Sequence, residues 1–99
     1  MKNNIIQQSV AIIAYYVGSV SGSTDQYKNW MKARNIIIAT VNDPSIMGDI
    51  DLFKNGVKDL DMPYTQAVEL YYNKEVRSIL VFFFVGTYEG LQIRHGFMN

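Results

Sequence analysis

The segment 18–24, Gly-Ser-Val-Ser-Gly-Ser-Thr, combines residue types that could bind an anion. Its glycines would let backbone amides converge, its hydroxyl groups can donate hydrogen bonds, and a helix predicted to follow it would direct a positive dipole end there. The site would be formed by Gly18, Gly22, Ser23 and Thr24. Because no lysine follows the second glycine, the segment is not a P-loop, and it is not a dinucleotide-binding fingerprint. The alternative is a flexible turn followed by an ordinary helix cap at Ser23.

The other residues with catalytic or metal-binding potential do not form a recognisable site. Asp49, Asp51, Asp59 and Asp61 lie around the second predicted helix. Their i, i+2 spacing turns the members of each pair to different sides of a helix, so we interpret them as a solvated acidic face. His95 is the only histidine, and we interpret it as a non-catalytic surface or interface residue. The sequence predicts no metal and no cofactor.

Composition and charge limit the class of protein. The 99 residues, 48% of them hydrophobic, fit one globular domain over residues 1–99. Nine basic and nine acidic residues cancel, which argues against nucleic acid or a membrane surface as the main partner. The apolar run 10–17 is far shorter than the roughly 20 residues of a membrane span. The absence of cysteine fits a reducing compartment, so we expect a cytoplasmic protein.

Hydrophobic patterning predicts the strands that would position these residues. Residues 76–85 are almost continuously apolar, as in a strand covered on both faces, and Phe83 in this run is expected to be buried. Three further segments rich in β-branched and aromatic residues predict strands over 5–17, 36–41 and 64–72. A buried helix is the alternative for the first of these. Residues 91–94 alternate like an edge strand or form a loosely held tail.

Two amphipathic helices separate the predicted strands. The first is expected over residues 24–33, where Ser23 and Gln26 have capping-box spacing. The second is expected over residues 46–60, weakened or split by Gly48 and Gly56. Before it, Asp43 can act as a cap and Pro44 suits a first helical position. The resulting order β-α-β-α-β-β, with a fifth strand at the C-terminal edge, predicts an α/β domain with a mixed sheet, or an α+β domain.

This predicted sheet also has consequences for partners. Two short helices would leave an apolar sheet face uncovered, which favours a homodimer with twofold symmetry. Of adjacent tyrosines such as Tyr71 and Tyr72, one is expected to be exposed and to favour protein binding. The sequence therefore predicts a non-enzymatic, self-associating protein-interaction or regulatory domain. The alternative is a sensor or enzyme that binds a phosphate ligand or nucleotide through segment 18–24.

A family resemblance covers residues 30–86. Trp30 precedes the predicted strand 36–41, Leu60-Asp61-Met62-Pro63-Tyr64 leads into the next strand, and an apolar strand ends at Gly86. In this arrangement the chain resembles type 2 peptidyl-tRNA hydrolases, which implies their α/β fold. It lacks the Gly-Lys pair of these enzymes, and Glu69-Leu70-Tyr71-Tyr72-Asn73 stands in place of their Asp-Ala-Gly-x-Thr segment. The resemblance therefore implies no catalytic residue here.

Overall fold

The computed structural model describes residues 2–57 and 62–85, and this part of the chain is helical. It contains five α-helices and one 3-10 helix: α1 Lys2–Ser21, α2 Gln26–Asn42, the 3-10 helix Pro44–Gly48, α3 Ile50–Gly56, α4 Tyr64–Tyr72 and α5 Lys74–Val85. No strand occurs within these two ranges. The predicted α/β class, its α+β alternative and the mixed sheet are therefore wrong. The strand predicted over 91–94 lies outside the described residues.

Helix α1 includes residues 5–17, which the sequence predicts as the first strand. Its buried residues Ile6, Val10, Ile13 and Val17 are spaced by four, three and four positions, so they form one stripe along the helix. The β-branched and aromatic composition of residues 5–17 favours a strand locally, but burial of this stripe in the core decides for a helix. The alternative prediction for this segment, a buried helix, is confirmed.

Helix α2 continues through the second predicted strand, 36–41. Ala33, Ile36, Ile37 and Thr40 are fully buried at helical spacing. The Thr40 hydroxyl donates to the carbonyl oxygen of Ile36 at 3.0 Å, so this buried polar group is satisfied within the helix. Within this apolar run, Ile38 and Ala39 are only partly buried, so the run belongs to one helix with a fully buried side.

Short polar side chains mark where the later helices begin. The Asp43 carboxylate accepts from the Ser45 amide at 3.3 Å, and Pro44 starts the 3-10 helix, which confirms the predicted cap and first position. The 3-10 helix ends at Gly48 and α3 ends at Gly56, so the predicted split of this region is also confirmed. The Asp49 carboxylate accepts from the Asp51 amide at 2.7 Å and caps α3.

Helices α4 and α5 replace the last two predicted strands. The turn between them is capped by Asn73, whose side-chain oxygen accepts from the amides of Glu75 and Val76, both at 3.0 Å. This polar turn therefore joins two helices, where the sequence predicted two consecutive strands. Phe83 is fully buried in α5, as predicted, whereas the adjacent Phe82 is 44% exposed. The apolar run 76–85 thus has a buried side and a partly exposed side.

The buried residues of the five α-helices and the 3-10 helix form one continuous apolar cluster. Helix α1 packs along α2, and α5 contacts α1, α2 and α4.

Because no sheet is present in the described ranges, the uncovered sheet face that motivated a homodimer is absent. One member of each adjacent tyrosine pair is nevertheless exposed: Tyr72 is 63% exposed and Tyr71 is 7% exposed. The fold thus presents the junction of α1 and α2 at the surface, with aromatic side chains nearby.

Candidate functional site

An open groove of about 740 Å³ lies at the surface where α1 meets α2. Small, aromatic and uncharged polar side chains form its walls and floor; we call it the α1–α2 groove, and it is lined by Ala11, Ala14, Tyr15, Gly18, Ser19, Gly22, Ser23, Thr24, Gln26, Asn29 and Trp30. A volume of this size lies in the range of ligand-binding clefts. The lining contains no carboxylate, amine, guanidinium or imidazole group.

The four residues of the predicted anion site all line this groove. Gly18 lies inside α1, not in a loop after a strand as predicted. Gly22 follows the end of α1 with a φ of 71°, a left-handed conformation that glycine adopts without steric cost. Ser23 and Thr24 lie in the connection to α2. The structure therefore brings the four residues together, while their anion-binding role stays a prediction.

Hydrogen bonds within the connection already use part of its amide groups. The Ser23 amide donates to the Ser21 hydroxyl oxygen and the Asp25 amide donates to the Ser23 hydroxyl oxygen, both at 3.2 Å. The Asp25 carboxylate accepts from the Lys28 amide at 3.0 Å and caps α2. Helix α2 therefore begins later than predicted, with Asp25 rather than Ser23 as its cap. A negative charge of the chain itself already lies at the positive end of the helix dipole.

Gly18 allows a close approach between α1 and the start of α2. A Cβ atom added at Gly18 would lie 2.8 Å from Asn29 Nδ2 and 3.1 Å from the Ser23 carbonyl oxygen. The Asn29 side chain is buried and donates from Nδ2 to that carbonyl at 3.0 Å. Gly18 and Asn29 both line the groove. Asn29 could not be identified from the sequence, because a lone asparagine within a helix carries no recognisable spacing pattern.

Two aromatic side chains, Tyr15 and Trp30, line the groove. The Tyr15 side chain is 70% exposed, and its ring packs edge-to-face on the Tyr16 ring at a centroid distance of 5.2 Å. Trp30, the only tryptophan of the chain, is partly buried against the core and lines the same groove. Tyr15 thus projects from a surface that also contains a recess.

Tyr16, the neighbour of Tyr15, forms a hydrogen bond to α5. The Tyr16 hydroxyl donates to Glu75 Oε1 at 2.5 Å. This hydrogen bond, with burial and the negative charge of Glu75 as smaller contributions, raises the pKa of Tyr16 above its ordinary value of 10.0. The Tyr16 hydroxyl is therefore protonated, and able to donate to Glu75, at neutral pH.

The remaining candidate residues are not assembled into a second site in the described ranges. Asp49 caps α3 and Asp51 is exposed, while Asp59, Asp61 and His95 lie outside the described residues. Among residues 2–57 and 62–85, no three histidine, aspartate or glutamate side chains are close enough together to hold a metal ion. In the same part of the chain, no helix combines the length and apolar character needed to cross a bilayer.

Comparisons with protein families, curated proteins and solved structures find no match to this chain. The resemblance to type 2 peptidyl-tRNA hydrolases therefore stays a prediction. The segment 36–41, which that resemblance takes as a strand, lies within α2. The functional argument consequently depends on the geometry and chemistry of the α1–α2 groove.

Proposed function

We propose that this chain is a non-enzymatic protein-interaction domain that binds a protein surface in the α1–α2 groove. The observation that carries the proposal is the side chain of Tyr15, which is 70% exposed beside a groove that also contains Trp30. Tyrosine and tryptophan are enriched in protein interfaces, because their large rings bury much apolar area while their polar groups can still form hydrogen bonds.

The chemistry of the groove supports binding rather than a reaction. General acid–base catalysis at neutral pH needs a side chain that exchanges protons in that range, such as histidine or a carboxylate with a shifted pKa. The groove is lined by hydroxyl, amide, aromatic and small apolar groups. These groups can orient a partner through hydrogen bonds and contact area. A cytoplasmic location remains part of the proposal and rests on the cysteine-free sequence.

A site-specific crosslinking experiment tests this proposal. Because the chain has no cysteine, a Ser19→Cys variant can be labelled at one position with a maleimide photo-crosslinker. Ser19 is exposed and lines the groove, whereas Asn55 is exposed in α3 and provides the matched control as Asn55→Cys. We expect irradiation in an extract of the producing cell to give protein adducts from position 19 that the label at position 55 does not give.

The adducts must also depend on the aromatic wall of the groove. Adding Tyr15→Gln to the Ser19→Cys variant is expected to remove them, and the label at Asn55 is expected to give few or none. Equal adducts from both positions, or none from position 19, would refute binding of a protein in the groove.

A further inference from the structure

We propose that the occupant of the α1–α2 groove is a second copy of this chain, with Tyr15 of each copy inserted into the groove of the other. This inference deepens the proposed function and rests on it. A twofold interface uses the same surface on both copies, so that surface must contain both a projection and a recess. Tyr15 supplies the projection, and the adjoining groove supplies the recess.

The order of residues along α1 suits an antiparallel pairing of two α1 helices. Ala11 lies about one turn before Tyr15, Ala14 directly precedes Tyr15, and all three line the groove. A twofold axis near residue 14 therefore places the Tyr15 ring of one copy against the two alanines of the other. Small side chains at these positions let helix axes approach to about 8 Å, the short end of the usual range. Trp30 would then cover the inserted ring from α2.

The charge distribution favours a partner identical to the chain itself. When a surface meets its own copy, any charge on it lies near a like charge, so a self-interface must have few charges at its centre. Residues 3–24 include no aspartate, glutamate, lysine, arginine or histidine. The formal net charge of the chain is zero, so two copies do not repel each other at long range. The Glu75 carboxylate that reaches α1 is occupied by the Tyr16 hydroxyl.

The size of the contact sets the concentration range of the test. Two α1 segments from residue 8 to residue 19 would pair over about 16 Å of helix, so the contact would be small beside a standard stable interface of roughly 800 Å² per partner. We therefore expect reversible pairing that grows over micromolar to about millimolar protein concentration, as for weak interfaces.

The experiment measures mass and the environment of Trp30 across this concentration range. Sedimentation equilibrium is expected to show a mass that rises from 11.3 kDa toward twice that value. Trp30 emission is expected to move to shorter wavelength in parallel, because pairing would remove the indole from water. Tyr15→Gln is expected to raise the dissociation constant by about tenfold or more, as for an aromatic residue at an interface centre.

Tyr72→Gln is the matched control. Tyr72 is 63% exposed and packs edge-to-face on Tyr71 at 4.9 Å, much as Tyr15 packs on Tyr16, but it does not line the groove. This variant is expected to pair like the unmodified chain. Far-UV circular dichroism must show that both variants keep their helix content.

Two results would overturn self-pairing. A mass of one chain up to millimolar concentration would exclude it, and equal effects of Tyr15→Gln and Tyr72→Gln would exclude the insertion of Tyr15. If Tyr15→Gln fails to fold, the purified Ser19→Cys chain labelled with the photo-crosslinker decides: dimer adducts support the pairing, and monomer alone overturns it. A monomeric chain that still gives groove-dependent adducts in extract would refute this inference while leaving the proposed function intact.

Discussion

Replacing Gly18 by alanine is expected to destabilise the protein, although alanine is the better helix former. In an unobstructed helix the exchange would gain about 1 kcal/mol. Here the new Cβ would lie 2.8 Å from Asn29 Nδ2, closer than a real Cβ atom can come, and 3.1 Å from the Ser23 carbonyl oxygen. Asn29 must therefore rotate away, and its hydrogen bond to Ser23 would be lost.

The balance of these effects gives the magnitude. Leaving a buried polar group without its partner costs about 1 to 3 kcal/mol, and the tight contact with the Ser23 carbonyl adds to this cost. After subtraction of the gain in helix propensity, we expect Gly18→Ala to lower the free energy of unfolding by about 1 kcal/mol. For a domain of this size, that loss corresponds to a decrease in Tm of about 4 to 8 °C.

Urea denaturation followed by circular dichroism and Trp30 fluorescence measures the effect. Gly48→Ala is the control, because a Cβ added at Gly48 meets nothing within 4 Å, and we expect this variant to lose no stability. An Asn29→Ala background removes the closer clash, so there Gly18→Ala is expected to be less harmful by about 1 kcal/mol, as an interaction between touching residues. An identical effect of Gly18→Ala in both backgrounds would refute the close approach between the helices.

Three further predictions concern a core residue, a helix cap and the protonation of Tyr16. Phe83→Ala is expected to cost about 3 to 5 kcal/mol of unfolding free energy, whereas Phe82→Ala, at a position 44% exposed, is expected to cost about 1 kcal/mol or less; similar melting temperatures for the two would contradict the assignment of the buried side of α5. Asn73→Ala is expected to cost about 1 kcal/mol, because two amides lose their cap, and an unchanged urea midpoint would speak against it. The hydrogen bond to Glu75 stabilises protonated Tyr16, so its contribution to stability is present below pH about 10 and is lost as pH rises through the raised pKa of Tyr16 in the folded state. Denaturation between about pH 9 and about pH 11 should therefore show a steeper loss for the unmodified chain than for Tyr16→Phe, and equal slopes would rule out this linkage.

The sequence predicted local boundaries better than it predicted the class of fold. Asp43 and Pro44 begin a helical element, Gly48 separates two elements, and Phe83 is buried, all as the residue types indicate. These features depend on a single residue or on its immediate neighbours. Such local features can therefore be predicted from the sequence without knowledge of the tertiary fold.

The fold class was misread because apolar residues stand next to each other in the runs 36–41 and 76–85. Such runs fit a strand covered on both faces, but they also fit a helix whose opposite side is partly exposed, and short runs do not distinguish the two. Phe82 is 44% exposed, which shows that a helix can leave some residues of a continuous apolar run in contact with solvent. The β-branched isoleucines and valines then favoured the strand interpretation, although packing among the helices decides the conformation.

The candidate site was located in part. Gly18, Gly22, Ser23 and Thr24 all line the α1–α2 groove, because glycine and serine mark the end of one helix and the approach to the next. The aromatic character of the groove was not predicted, since Trp30 and Tyr15 line the same groove only once α1 and α2 have packed together. Contacts between residues far apart in sequence cannot be read from spacing alone.

The short capped connections of this chain have a consequence for its folding rate. Only residues 22–25 separate α1 from α2, and Asn73 alone separates α4 from α5, so these neighbouring helices can dock with little loss of chain entropy. Helical domains dominated by such local contacts fold in microseconds to milliseconds, far faster than the mixed sheet predicted from the sequence would. The contacts of α1 with α4 and α5 close the longest loops of the described chain. Docking of α1 onto these two helices is therefore expected to be the slowest step of folding. The Tyr16 hydroxyl in α1 bonds to Glu75 in α5, so Tyr16 is a position at which this docking step can be followed.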